Sequence, residues 1–297
     1  MAIGLITHMD TTRPEDVNGL ITNLDYTSTP FLSNIGESTA LNTLHEWQVD
    51  SYDAAAANAQ IEGSAATVVD LTQPTRTTNV VQLFRKVVSV SDTESAIPHY
   101  GMGDPFTYQT EKKMTELMRD MEKAAIQGVR ATGSSGVARS MDGAIALITT
   151  NKTARASGTC FTETEFNDIV KGIYDNGTDA TVDLVLLPSY LKLVVDRFNT
   201  KTTANLDAGE FKQVLRVETY VSAFGTHNIA FSREVPTSGV LAVDSSKWRK
   251  AYLVNRSPQM RALGKVGSDT RGMIEAEATI EALNEGSSAY RSGYFVG

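Results

Sequence analysis

The longest regular alternation of apolar and polar positions lies between Gly103 and Gly128. Phe106, Thr110, Met114, Leu117, Met118, Met121, Ala125 and Gly128 recur at three- and four-residue spacing, while Glu111, Lys112, Lys113, Glu116, Arg119, Asp120, Glu122 and Lys123 fill the other side. The pattern predicts an amphipathic helix over about 104–130, with a methionine-rich stripe packed on a core and the charged side in water. Asp104-Pro105 is a helix start: the carboxylate can accept from orphan N–H groups of the first turn, and proline at the first helical position loses no needed donor. The glycines at 128, 133 and 136 stop it. At 1.5 Å per residue such a helix reaches about 35 Å, the width of a small domain.

A period of two marks the strands. Ile274, Ala276, Ala278, Ile280 and Ala282 alternate with Glu275, Glu277, Thr279 and Glu281, the pattern of a half-buried strand with its glutamates toward solvent or a partner. The preceding Gly264–Gly272 has the glycine and aspartate content of a protruding hairpin tip. Leu44–Tyr52 and Thr75–Val90 read as two more strands, joined by about twenty small, weakly specified positions including Ala54–Ala57, Gly63 and Ala65. A connection that long is a floppy hairpin or an arm reaching a partner. Further on, Met141–Ile148 reads as a buried turn into a short apolar segment. Thr162 and Glu165 form a capping box before a helix that Asn176-Gly177 closes. Val182–Leu187 is a continuous apolar run suited to a buried strand, and Pro188 opens another helix. Short strands are expected at Val214–Ala223, Asn228–Phe231, Val240–Val243 and Ala251–Val254. The class is α+β.

Residues 1–42 show no sustained period. Their apolar fragments, Leu20-Ile21 and Phe31-Leu32 with Ile35, cannot form a core alone and must lie on another surface, that of the same chain or of a neighbour.

Composition narrows the function classes. The chain has 297 residues, 41% hydrophobic and 7% aromatic, enough for a core in one or two domains. A net charge of -8 argues against a general basic surface gripping nucleic acid. The single cysteine, Cys160, excludes an internal disulfide or a CxxC site. The amino terminus lacks a charged n-region, and no stretch nears the roughly 20 apolar residues of a membrane span, so a soluble, unexported chain is expected.

The residues offer little chemistry. Ser189 and Lys192 have Ser-x-x-Lys spacing, which can set a lysine above a serine nucleophile and would define a serine hydrolase, but the companion motifs are missing and a serine opening a helix is ordinarily a cap. Cys160 has no spaced base among His8, His45, His99 and His227. Glu275, Glu277 and Glu281 could hold a hard cation, yet period-two charges on a strand more often face solvent or a partner. Neither a phosphate loop nor a dinucleotide fingerprint occurs. A structural protein without catalytic residues, cofactor or metal is expected.

The order of parts (flexible arm, long hairpin, long helix, inserted mixed domain, returning strand pair) resembles the major capsid protein of tailed bacteriophages, the Hong Kong 97-like fold. The closest resemblance is to the group whose arm reads like Thr29-Pro30-Phe31-Leu32-Ser33-Asn34-Ile35-Gly36 and continues like Asn42-Thr43-Leu44-His45-Glu46-Trp47-Gln48-Val49-Asp50. Leu263-Gly264-Lys265 and Glu275-Ala276-Glu277-Ala278-Thr279-Ile280-Glu281 also look like that group's ending. The resemblance spans nearly the whole chain, with the inserted domain contributing little.

It implies an N-terminal arm over 1–42, an extended loop over 43–90, a peripheral domain over 91–157 and 247–283 with a spine helix at 104–130, and an axial domain over 158–246 and 284–297. It implies hexamers and pentamers closing into an icosahedral head around double-stranded DNA, assembled in the host cytoplasm, with portal and possibly cement proteins. Some relatives carry a long N-terminal scaffolding segment. The short arm here implies a separate scaffold protein or a processed chain. Some relatives crosslink through a loop lysine; Thr43–Arg85 holds none, so no such bond is expected. An encapsulin-like compartment around an enzyme is the alternative on the same fold.

Charge is unevenly spread. Residues 43–75 carry Glu46, Asp50, Asp53, Glu62 and Asp70 and no lysine or arginine, a local charge of -5. Residues 247–282 carry seven basic residues, Lys265 and Arg271 among them, against four acidic ones, a net of +3. In the fold the chain resembles, the loop lies across the next subunit's peripheral domain. Phe31, Leu32, Ile35, Asp50, Glu62, Lys265 and Arg271 are therefore the expected subunit-interface residues, with charge fixing register more than affinity. The alternative for Arg261, Lys265 and Arg271 is pairing with glutamates of their own hairpin.

Overall fold

The computed structural model describes residues 25–65, 71–99, 101–176, 181–198 and 219–295. The Leu20-Ile21 fragment, Asp70 and the first part of the strand expected at Val214–Ala223 lie outside them.

In chain order the elements are α1 (Pro30–Asn34), β1 (Gly36–Ala40), β2 (Leu44–Val49), β3 (Thr75–Val80), β4 (Gln82–Ser91), α2 (Asp92–Ala96), α3 (Pro105–Gln127), α4 (Ala144–Leu147), β5 (Lys152–Thr159), α5 (Glu163–Asp175), β6 (Leu184–Leu187), α6 (Ser189–Asp196), β7 (Thr219–Ser222), β8 (Gly225–Phe231), β9 (Val240–Val243), β10 (Trp248–Leu253), β11 (Gln259–Leu263), β12 (Asp269–Ala282) and β13 (Ala289–Tyr294).

Helix α3 begins where its sequence says it should. The Asp104 carboxylate accepts from Phe106 N at 3.3 Å and Thr107 N at 3.1 Å. It stops at Gln127 because Gly128 turns away to pack backbone against backbone on Gly143. Gly143 N donates to Gly128 O at 3.0 Å, and a Cβ on Gly143 would sit 2.5 Å from Gly128 N.

The first sheet is built on β12. Strand β4 pairs antiparallel along one edge of it over ten residues. Strands β11 and β10 share the other edge, and β1 adds in parallel to β10. One face is covered by α3: Leu117, Met121 and Ala125 share a core with Ile274, Ala276, Ala278 and Ile280. The second sheet runs β5-β13-β9-β6-β8-β7. Strand β6 joins the two cores by its period of two. Leu184 and Leu186 enter the core under α3, while Val185 and Leu187 pack with Phe166, Ile169 and Leu191 of α5 and α6.

Several expectations need correction. The Thr75–Val90 run is two strands broken at Val81; β3 pairs only with β2, while β4 lies in the main sheet. The two-stranded ribbon thus ends at Val80, inside the 43–90 span expected for the extended loop. Strand β5 belongs to the second sheet, so the expected domain crossing at 157 falls inside a strand. The capping box is half formed: Thr162 Oγ1 accepts from Glu165 N at 3.3 Å. The reciprocal bond is replaced because the Glu165 carboxylate is taken by Arg155 at 3.0 Å, Arg291 at 3.3 Å and the Tyr294 hydroxyl at 3.2 Å. Burial, with the Glu165 charge beside it, pushes the Tyr294 phenol up to about 12.

The largest correction concerns the glutamates. Glu275, Glu277 and Glu281 are buried, not solvated, and so is Glu122 of α3. The second face of β12 is covered too, and its cover is charged. Glu275 pairs with Arg85 at 2.6 Å and Arg256 at 3.5 Å, and Glu277 with Arg139 at 3.3 Å and Arg256 at 3.5 Å. Glu281 binds His45 and takes the Ser38 hydroxyl at 2.8 Å.

Candidate assembly surfaces

Loop and arm are each fixed at one end to β12 or α3. Strands β2 and β3 pair antiparallel from Leu44 opposite Val80 to Val49 opposite Thr75. At the base of this ribbon the Trp47 indole N–H donates to Ala282 O at 2.8 Å. Asn79, fully buried, donates to Asp142 O at 3.1 Å and Ile280 O at 3.0 Å and accepts from Asp142 N at 2.9 Å and Val80 N at 2.8 Å. One amide thus ties the ribbon to β12 and to the segment after α3 with all its bonding capacity used. Arg130 adds bonds to Thr78 O at 3.2 Å and Thr78 Oγ1 at 3.0 Å.

Beyond the base the loop leaves the body. Residues 51–65 are all exposed and form no strand, and Tyr52, Ile61 and Leu71 present large apolar side chains to solvent. Asp50 lies at the root of this finger and Glu62 on it, and neither has an ion-pair partner among the described residues. Among the described residues, then, a well-anchored base carries a finger that is exposed throughout.

The opposite charges sit on the β11–β12 hairpin. Lys265 Nζ lies 2.9 Å from Asp92 Oδ1, and Arg271 pairs with Asp269. The side chains proposed as partners of a neighbour are thus held by aspartates of their own subunit, not by the hairpin glutamates, which are buried with other arginines. Hydrogen bonding from Lys265 holds the Asp92 carboxyl low, and Arg271 does the same for Asp269. Lys265 remains largely exposed and Val266 caps the tip in solvent.

The arm fragment behaves differently. Phe31, Leu32 and Ile35 are buried in the core of their own subunit, with Phe31 edge-on to Trp248 at 5.8 Å between ring centroids. Of the two surfaces expected for these three, the structure gives them that of the same chain: the core under α3 receives them. Strand β1 then pairs with β10. The sequence of β1, Gly36-Glu37-Ser38-Thr39-Ala40, carries no apolar alternation that would have announced it.

Ser189 is the first residue of α6, and Lys192 Nζ lies 3.0 Å from Asp196 Oδ1, one turn further along the same helix. Among the described residues no cluster of three or more His, Cys, Asp or Glu could hold a metal ion, and no helix is long and apolar enough to cross a membrane.

A long spine helix across a strand-rich platform, a tied arm, a projecting ribbon and a second mixed domain define a capsid-shell subunit of the Hong Kong 97-like fold. Solved capsids share it. The capsid of a native GTA particle is similar at TM-score 0.71 and 12% identity, covering 97% of each chain, and the capsid of cyanophage A-1(L) at TM-score 0.72 and 11% identity, covering 98% of each. The SrpI encapsulin of Synechococcus elongatus matches less fully, at TM-score 0.57 and 11% identity over 88% of this chain and 86% of that one. The chain belongs to the SU10 major capsid protein family, whose model matches residues 5–293. The major capsid protein of Escherichia phage Phieco32 is 26% identical over 309 residues, covering 86% of this chain and 87% of that one. The protein is a phage major capsid protein, a structural component of the virion shell.

Proposed function

We propose that this chain self-assembles into hexamers and pentamers that close an icosahedral head around double-stranded DNA, inside the host cytoplasm. A separate scaffold, a portal and cement proteins would complete the particle. In this reading residues 1–42 are the arm, about 43–80 the extended loop, the β12 sheet with α3 the peripheral domain, and the β6 sheet with α5 and α6 the axial domain. The observation that carries it is the finger of residues 51–65, tied at its base and exposed throughout among the described residues.

The finger is proposed to lie on the next subunit with Asp50 and Glu62 facing Lys265 and Arg271. Lys265 would exchange or share its aspartate, as exposed ion pairs do readily, while Arg271 would reach outward from a part-buried pair with Asp269. With a net charge of -8, the chain holds DNA by closure and not by attraction.

Electron micrographs of the purified chain, with nuclease digestion of any shells, test the reading. Closed shells protecting double-stranded DNA after co-expression with the other head proteins support it. Shells that exclude DNA and enclose a protein point to an encapsulin-like compartment, and the absence of any shell overturns it.

A further inference from the structure

Glu122 is a carboxylate buried on α3 with no ion-pair partner among the described residues, and it is 1% exposed. Its Oε1 accepts from Phe31 N at 2.7 Å and its Oε2 from Leu32 N at 2.8 Å. These are orphan first-turn donors of α1, which has no cap of its own: Thr29 makes no side-chain cap bond, and its hydroxyl lies 3.2 Å from Ser33 Oγ. A side chain ninety residues away thus closes the helix that seats Phe31 and Leu32 in the core.

We propose that Glu122 is a proton-linked latch: its carboxyl takes up a proton as residues 30–35 dock on α3, so the arm is held more firmly in acid and loosens as pH rises to neutrality. Burial pushes the group up to about 7 from an ordinary 4.5, outweighing the two amide bonds that favour the anion, and the nearby Glu234 charge raises it further. The sign follows from linkage. A raised folded value means that the docked form binds more protons between about 4.5 and 7, so docking is strongest below that window and is lost through it as pH rises.

The other charged groups around the seat are already engaged. On α3, Arg119 stacks 4.1 Å over the Tyr26 ring and lies 4.0 Å from Asp25. After β8, Arg233 lies 4.8 Å from the same ring and Glu234 takes the Tyr26 hydroxyl. From β10, Lys250 reaches Glu37 at 3.0 Å and Leu32 O at 3.3 Å. None of these cations pairs with Glu122. The latch belongs to one subunit and operates whether or not shells form.

Amide hydrogen exchange of the full-length subunit, corrected for the chemical exchange rate, tests it on the peptide spanning residues 29–36. Protection is expected to be about 30-fold greater near pH 5.5 than near pH 8.5, and flat in Glu122→Gln. Glu234→Gln should keep the profile with its midpoint moved to lower pH. A flat wild-type profile overturns the proposal, as does a profile that persists in Glu122→Gln or vanishes in Glu234→Gln. If Glu122→Gln fails to fold, the wild-type and Glu234→Gln profiles decide.

Discussion

Trp47 and Ala282 join the base of the projecting ribbon to the end of the central strand: the indole N–H donates to the carbonyl oxygen at 2.8 Å in a buried setting. Trp47→Phe keeps an aromatic ring in place but orphans that carbonyl. A loss of about 1–3 kcal/mol is expected, seen as a melting point several degrees lower, and protease cuts in residues 44–80 should appear before cuts in α3. Unchanged melting and cleavage would show that the bond carries no weight.

Asn79 is the second tie. Asn79→Leu fills similar volume but strands Asp142 N, Asp142 O, Val80 N and Ile280 O, four groups that the amide now satisfies. The expected cost is about 3 kcal/mol or more, measured by denaturant unfolding. A cost under about 1 kcal/mol would mean that water replaces the amide.

Acid should act on the ribbon with the opposite sign to that at Glu122. Burial alone would raise the Glu281 carboxyl, but bonds from His45 and Ser38 and the charge of His45 and Arg249 prevail and hold it below its ordinary 4.5. A depressed carboxyl stabilises fully above its unfolded value, and that contribution is lost as pH falls through the lower folded value. Stability of the ribbon base should therefore fall below about pH 4.5, and Glu281→Gln should flatten that acid limb. An unchanged limb in the variant would assign acid sensitivity elsewhere, Glu285 being the next candidate.

The sequence showed some of this and hid the rest for physical reasons. Asp104, Pro105 and the apolar stripe located α3 because caps and period are local signals. Glu122 falls on the charged side of the helical pattern, and nothing near it in sequence reveals the arm that covers it. The β12 glutamates are hidden for a related reason. Alternating charge describes a solvated face, but it equally describes a face covered by Arg85, Arg139, Arg256 and His45, which come from four remote segments. Strands β1 and β5 are polar sheet edges, held by pairing and not by a buried stripe. The free finger was legible, since its small residues offer nothing to pack.

Gly128 and Gly143 lock the turn after α3. A Cβ on Gly128 would lie 2.4 Å from Ala124 O and 2.5 Å from Met141 O. Gly143→Ala should cost several kcal/mol, about as much as a disruptive core substitution. Near-wild-type melting would contradict so close an approach.

Charge reversal at Lys265 should slow or misdirect assembly while leaving the monomer's melting nearly unchanged, because its pair with Asp92 is exposed; reversal at Arg271 should do the same at a modest cost in melting, because its partner Asp269 is part-buried. Asp50→Lys or Glu62→Lys should partly restore assembly. A sharp drop in monomer melting, or failure of every acidic-loop change to rescue, would assign both cations a purely internal role.

The most direct measurement is a map of the assembled shell at side-chain detail. Expected are closed shells in which the finger of residues 51–65, with Asp50 at its root, crosses to the adjacent subunit and places Asp50 or Glu62 within about 4 Å of that subunit's Lys265 or Arg271. A finger folded back on its own subunit, or one crossing with both acids far from those cations, would contradict the proposed docking.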